Sequence, residues 1–106
     1  MMPQTLTRFR KQFPEVWKAY ANLRDTCTDT GPLDEKTVEL IKVGISAALG
    51  REGGLVAHVS RARKAGASPA ETYQAILQGM GLTGFPTILA AFQVVHEVFK
   101  RKKRTR

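Results

Sequence analysis

The 106 residues give room for one hydrophobic core and no second one. With 42% hydrophobic and 25% charged residues the composition is that of a soluble globular chain, which excludes a disordered or fibrous protein. The formal net charge of +8 suggests a polyanion partner, but six of the basic residues fall within Lys100–Arg106, and taking six from +8 leaves +2. The basicity therefore belongs to a tail, read here as a frayed, solubilising end whose nucleic-acid contacts would be weak.

The start, Met1-Met2-Pro3-Gln4, has no apolar signal core, and no apolar run approaches the roughly 20 residues of a membrane span. A cytoplasmic protein is expected. Cys27 stands alone, so no disulfide forms within the chain. Two histidines and one cysteine, none paired at ligand spacing, argue against a metal site.

In chain order the pattern is helical throughout, with no sustained strand alternation. A short helix is predicted over Thr5–Lys11, and a second from Pro14 to Thr26. The second has its proline in the first turn, and Val16, Trp17, Tyr20 and Leu23 form its apolar set. Trp17 and Tyr20 are assigned to the core or to a pocket wall. A polar loop follows from Thr26 to Pro32, which leaves Cys27 at a helix end in a packing role. Asp34 caps the third helix, and Leu33 with Val38 has the spacing of a hydrophobic staple. Its predicted inner stripe is Val38, Ile41, Ile45, Ala48 and Leu49, and Gly50 ends it. The small face of Gly44, Ala47 and Ala48 suits close packing against another helix.

A fourth helix starts near Arg51–Gly53, turns Leu55, Val56, Val59 and Ala62 inward, and stops at Gly66. Ser68-Pro69-Ala70-Glu71 has the form of a capping box that opens a fifth helix carrying Tyr73, Ile76, Leu77 and Met80. After the break Gly81–Gly84, the last helix runs from Phe85 or Pro86 to Lys100. Ile88, Leu89, Phe92, Val95 and Phe99 form its inner face, and Val94 and Val98 widen it. His96, among valines, is read as core or interfacial. So wide a stripe calls for a partner subunit. The reading is thus an all-α bundle of five to six helices over residues 1–99, followed by a basic tail over 100–106.

Three segments then come together: Gly31–Leu40, Ala47–His58 leading into Ala65–Glu71, and Gly84-Phe85-Pro86. In that order and spacing the chain resembles the carboxymuconolactone decarboxylase and alkylhydroperoxidase D-like superfamily over about two-thirds of its length. The resemblance implies the alkylhydroperoxidase D-like fold and homo-oligomers, often trimers or hexamers built from dimers. The redox branch of that superfamily has a glutamate on the central helix, a Cys-x-x-Cys at the next helix start, and a histidine four residues on. Here Glu39 and His58 match the glutamate and histidine, whereas Arg51 and Gly54 stand where the thiols would be. Thiol peroxidase chemistry needs both sulfurs, so the sequence argues against it.

The run Ala47-Ala48-Leu49-Gly50-Arg51 resembles the decarboxylase branch, which acts on a small dicarboxylate lactone without metal or cofactor. The reading that follows is a cofactor-free, decarboxylase-like lyase for a small carboxylated metabolite, with a non-catalytic oligomeric binding scaffold as the alternative. In the first, His58 would be the acid or base and Glu39 would tune it. Arg51 and the N–H groups of Gly53 and Gly54 would hold a carboxylate. In the second, His58 is a packing residue, Glu39 lies on a solvated face between Lys36 and Lys42, and Arg51 merely follows the Gly50 cap.

Overall fold

The structure, a computed structural model, describes residues 2–104, with side chains over 4–101. The described residues form helices α1 (Met2–Gln12), α2 (Pro14–Asp29), α3 (Glu35–Leu49), α4 (Glu52–Lys64), α5 (Pro69–Leu77), α6 (Met80–Thr83) and α7 (Phe85–Arg104). They contain no strand. The all-α expectation holds; α5 ends at Leu77, so Met80, expected on the fifth helix, instead opens α6, a single turn that extends into the predicted glycine-rich break.

The chain divides into two units, Met1–Pro32 and Leu33–Arg106. In the first, α1 passes into α2 through Phe13 alone. The Phe13 N–H donates to the Phe9 carbonyl at 2.8 Å, and its own carbonyl accepts from the Trp17 N–H at 3.0 Å. Side chains one or two turns apart along this run meet: Phe9 and Phe13 as tilted rings at 5.4 Å, Trp17 and Tyr20 likewise at 5.5 Å, and the Arg10 guanidinium over Trp17 at 4.5 Å. The sequence reading of this unit needs two corrections. The unit has no second layer to cover a stripe, so α2 buries none of its residues, and Val16, Tyr20 and Leu23 are exposed. The expected loop from Thr26 is instead helix as far as Asp29, because no breaker precedes Gly31-Pro32. Cys27 therefore lies inside a helix and is exposed, not packed.

In the second unit α3 and α4 form the central pair, with α5 and α7 packed against both. Local chemistry sets the helix ends. The Asp34 carboxylate accepts from the Thr37 N–H at 2.9 Å. Gly50 takes the left-handed conformation (φ 69°) that releases the chain from α3. Its N–H donates to Ala47, and the Arg51 N–H donates to Ser46. Gly66 (φ 104°) ends α4 in the same way. The capping box at α5 forms in full: the Glu71 N–H donates to Ser68 Oγ at 3.1 Å, and the Ser68 N–H to Glu71 Oε1 at 2.9 Å. Lys36 adds an ion pair from α3 to Glu71 at 3.0 Å. The proposed staple buries little, since Leu33 remains 53% exposed.

The core consists of Val43 and Ala47 from α3, Leu55, Val59 and Ala62 from α4, Ala67, Ile76 from α5, and Ala91, Val95 and Val98 from α7. The α4 face is the predicted one. The α3 face is not: Glu39, Val43 and Ala47 point inward, while Ile41, Ile45 and Leu49 are exposed. Close packing explains the choice. A Cβ on Gly44 would stand 3.0 Å from the Ala75 carbonyl oxygen, so α3 and α5 meet almost backbone to backbone. On α7 the buried residues are Ile88, Ala91, Val95 and Val98, while Leu89, Phe92 and His96 lie outside, which corrects the core reading of His96. Leu77 of α5 is likewise exposed. No breaker separates Phe99 from Lys100, so α7 continues to Arg104, into the segment expected as tail. Thr105 and Arg106 lie outside the described residues.

Candidate functional site

Glu39 lies one turn into α3, on the face that carries Val43 and Ala47 into the core. His58 lies in the middle of α4, between buried Leu55 and Val59. The antiparallel α3–α4 pair brings the two together: His58 Nδ1 stands 2.8 Å from Glu39 Oε1. Both side chains are largely withdrawn from water, His58 at 19% and Glu39 at 10% exposure. The solvated-face reading of Glu39 is therefore incorrect, and Lys36 pairs with Glu71 instead.

The direction of the bond follows from the groups. A carboxylate only accepts, so the imidazole donates Nδ1–H, and the proton exchanged with any reactant belongs to Nε2. A carboxylate at Nδ1 fixes the tautomer and the ring orientation, which leaves Nε2 as the nitrogen that exchanges a proton. The pair can thus deliver or accept one proton at one nitrogen, held in orientation by the glutamate.

The predicted anion-binding residues lie at the α4 start. Arg51 is the N-cap residue of α4; its side chain makes no capping bond and is exposed. It lines a cavity of about 240 Å³ with Ser46, Gly50, Glu52, Thr87 and Val94 among others. Neither Glu39 nor His58 lines that cavity. Gly53 is exposed, and Gly54 is half-buried against α3, where an added Cβ would stand 3.3 Å from Ser46 Oγ. The structure thus pairs two of the five candidate residues directly and places Arg51 with Gly53 and Gly54 around the first turn of α4. Ser46, which meets α4 at Gly54, is not singled out by the sequence pattern. Its helical spacing of seven from Glu39 was the available signal.

Among the described residues no three His, Cys, Asp or Glu side chains come together as a metal site, and no helix is long and apolar enough to cross a membrane. The two thiol positions of the redox branch are an exposed guanidinium and a glycine. An all-α unit with a central antiparallel pair, joined by a glutamate–histidine contact, defines a class. The chain belongs to the carboxymuconolactone decarboxylase family, whose model matches residues 14–97. No curated protein and no solved structure gives a significant match.

Proposed function

We propose that this protein is a cofactor-free, decarboxylase-like lyase acting on a small carboxylated metabolite. The observation that carries the reading is the 2.8 Å contact between His58 and Glu39 in largely buried surroundings. In the proposed step Arg51, helped by the N–H groups of Gly53 and Gly54, holds a substrate carboxylate. The bond to the departing carboxylate carbon breaks, carbon dioxide leaves, and the electron pair stays on the substrate as a dienolate. His58, as imidazolium, gives its Nε2 proton to the substrate carbon and regains one from water. Glu39 fixes the orientation of the ring. The working form is proposed to be a homo-oligomer, a trimer or a hexamer of dimers.

The test is turnover of a γ-lactone dicarboxylate, followed by release of carbon dioxide. His58→Gln is expected to abolish turnover and retain binding, whereas Arg51→Ala is expected to lose binding, seen as a loss of carboxylate-induced thermal stabilisation. Turnover retained by His58→Gln overturns the reading. A second reading, a non-catalytic binding scaffold, is favoured by the cavity at Arg51, whose lining includes neither member of the pair. Carboxylate binding at Arg51 without turnover of any γ-lactone would decide for it. A peroxidase reading is disfavoured, since Arg51 and Gly54 supply no thiol and Cys27 lies in α2.

A further inference from the structure

A second cavity, of about 420 Å³, opens between the end of α4, the start of α5 and the last turns of α7, lined by Arg63, Pro69, Tyr73, His96, Phe99 and Lys100. Its size falls within the range of small-molecule sites. None of Glu39, Arg51 and His58 lines it. Three features of the lining point the same way. The walls are aromatic: Tyr73 and Phe99 meet edge to face at 5.8 Å, and the Arg63 guanidinium lies over the Phe99 ring at 5.1 Å. Every charged or protonatable nitrogen side chain of the lining is basic (Arg63, His96, Lys100), and no carboxylate lines it. Arg63 Nη1 is shielded from solvent and has no hydrogen-bond partner among the described residues. A guanidinium nitrogen withdrawn from water without an acceptor is costly. Arg63 stands at the C-terminal turn of α4, where the helix dipole favours its charge but supplies no acceptor to this nitrogen.

We infer that this cavity is a binding site for an organic carboxylate with a flat apolar body. The Arg63 fork grips the carboxylate, and the ring lies against Tyr73 and Phe99. A planar guanidinium over an aromatic ring keeps N–H donors at its edge, and such an edge can pair two carboxylate oxygens. Lys100, at an exposed position, adds positive potential, and His96, also exposed, offers ring nitrogens for hydrogen bonding. Burial holds the Tyr73 phenol above its usual pKa, so it stays neutral and can donate a hydrogen bond. The site requires both parts of the ligand: an inorganic anion leaves the aromatic walls uncovered, and a neutral ring leaves the positive charge of the lining unpaired.

The experiment is amide chemical-shift titration of the full chain with benzoate, benzamide and inorganic phosphate. Benzoate is expected to shift the amides of Arg63, Tyr73, His96 and Phe99 saturably, and benzamide and phosphate to bind at least about tenfold more weakly. Arg63→Gln is expected to weaken benzoate at least about tenfold, the loss of a charge-assisted pair. Should Arg63→Gln fail to fold, the double variant His96→Gln/Lys100→Gln, both at exposed positions, is expected to weaken benzoate several-fold. Arg51→Ala is expected to leave benzoate binding at this cavity unchanged, which separates it from the site proposed at the α4 start. The inference is overturned by absent saturation up to about 10 mM benzoate. It is equally overturned by benzamide or phosphate binding as tightly as benzoate, by shifts confined to the surroundings of Arg51, or by folded variants at Arg63 or at His96 and Lys100 that bind like wild type.

Discussion

At the scale of single residues the Glu39–His58 contact makes a stability prediction as well as a chemical one. Removing either partner leaves the other largely buried without its hydrogen bond, at a cost of about 1–3 kcal/mol. Removing both costs less than the sum of the single losses, so a double-mutant cycle with Glu39→Ala and His58→Ala should show clear coupling. Additive losses in denaturant unfolding would mean that the two groups do not interact in solution. Gly54 offers a second residue-scale test. Alanine gains up to about 1 kcal/mol over glycine in a helix, less in the first turn where Gly54 lies, and its Cβ here would press on Ser46 Oγ at 3.3 Å. Gly54→Ala should therefore stabilise more in a Ser46→Ala background than in wild type; equal effects would place Ser46 elsewhere. The position of Glu39 and His58 was legible in the sequence because helix spacing fixes which residues can share a face. Their distance was not, since it depends on the register between α3 and α4. Arg63 was not singled out at all, because its place over the Phe99 ring exists only once α4 and α7 have packed together.

At the scale of elements, the ends set by a cap or a glycine were legible in the sequence, the ends of α2, α5 and α7 were not, and the faces were legible unevenly. Asp34, Gly50, Gly66 and the Ser68–Glu71 box act within one turn of chain, so sequence alone contains them. Faces depend on what the helix meets. On α3 the largest apolar residues, Ile41, Ile45 and Leu49, point out, while a carboxylate and the small Ala47 point in. Hydrophobicity by itself selects the wrong side wherever close approach demands small residues, as it does at Gly44. The same error explains Leu89 and Phe92 on α7, where Ala91 is the buried residue. The capping box also makes acid stability predictable. The pKa of Glu71 is lowered, first by the Ser68 N–H and then by Lys36, and that of Asp34 is lowered by its hydrogen bonds from Thr37. Both carboxylates bind protons less readily in the folded state, so their contribution is full above the ordinary values of 4.5 and 3.8 and is lost as pH falls through the lowered ones. Stability should be flat in this respect from pH 7 to about 5 and fall below about 4.5. Ser68→Ala should cost about 0.5–2 kcal/mol at pH 7, whereas Glu71→Gln, which removes the titrating carboxylate, should flatten that acid limb. An unchanged limb in urea unfolding at pH 3.5 to 5 would remove the capping box as its source.

At the scale of the whole molecule, the misassigned faces become the argument for assembly. Ile41, Ile45, Leu49, Leu77, Leu89 and Phe92 of the second unit are each 46–63% exposed. Scattered apolar residues on a surface are ordinary, but here α3 alone presents three at i, i+4 and i+8, a continuous stripe along one side of the helix. The groove between α3 and α5 continues it, with a volume of about 590 Å³ and Leu40, Ile41, Gly44, Ile45 and Ala75 in its lining. The small residues at Gly44 and Ala47 pack within the chain, so the stripe rather than the small face is the available contact surface. A homo-oligomer built on this stripe is the expected state at micromolar concentration, read by light scattering. Ile45→Glu sets a charge on the stripe without touching the core, so it should shift the mass toward the monomer while the circular-dichroism spectrum keeps its helicity. Truncation after Lys100 should leave the oligomeric state unchanged and cost no helicity beyond the four residues it removes from α7, because Arg101–Arg104 bring no apolar side chain to bury. A monodisperse wild-type monomer would sink the assembly prediction. An Ile45→Glu variant with wild-type mass would move the contact off α3, to the exposed residues of α7.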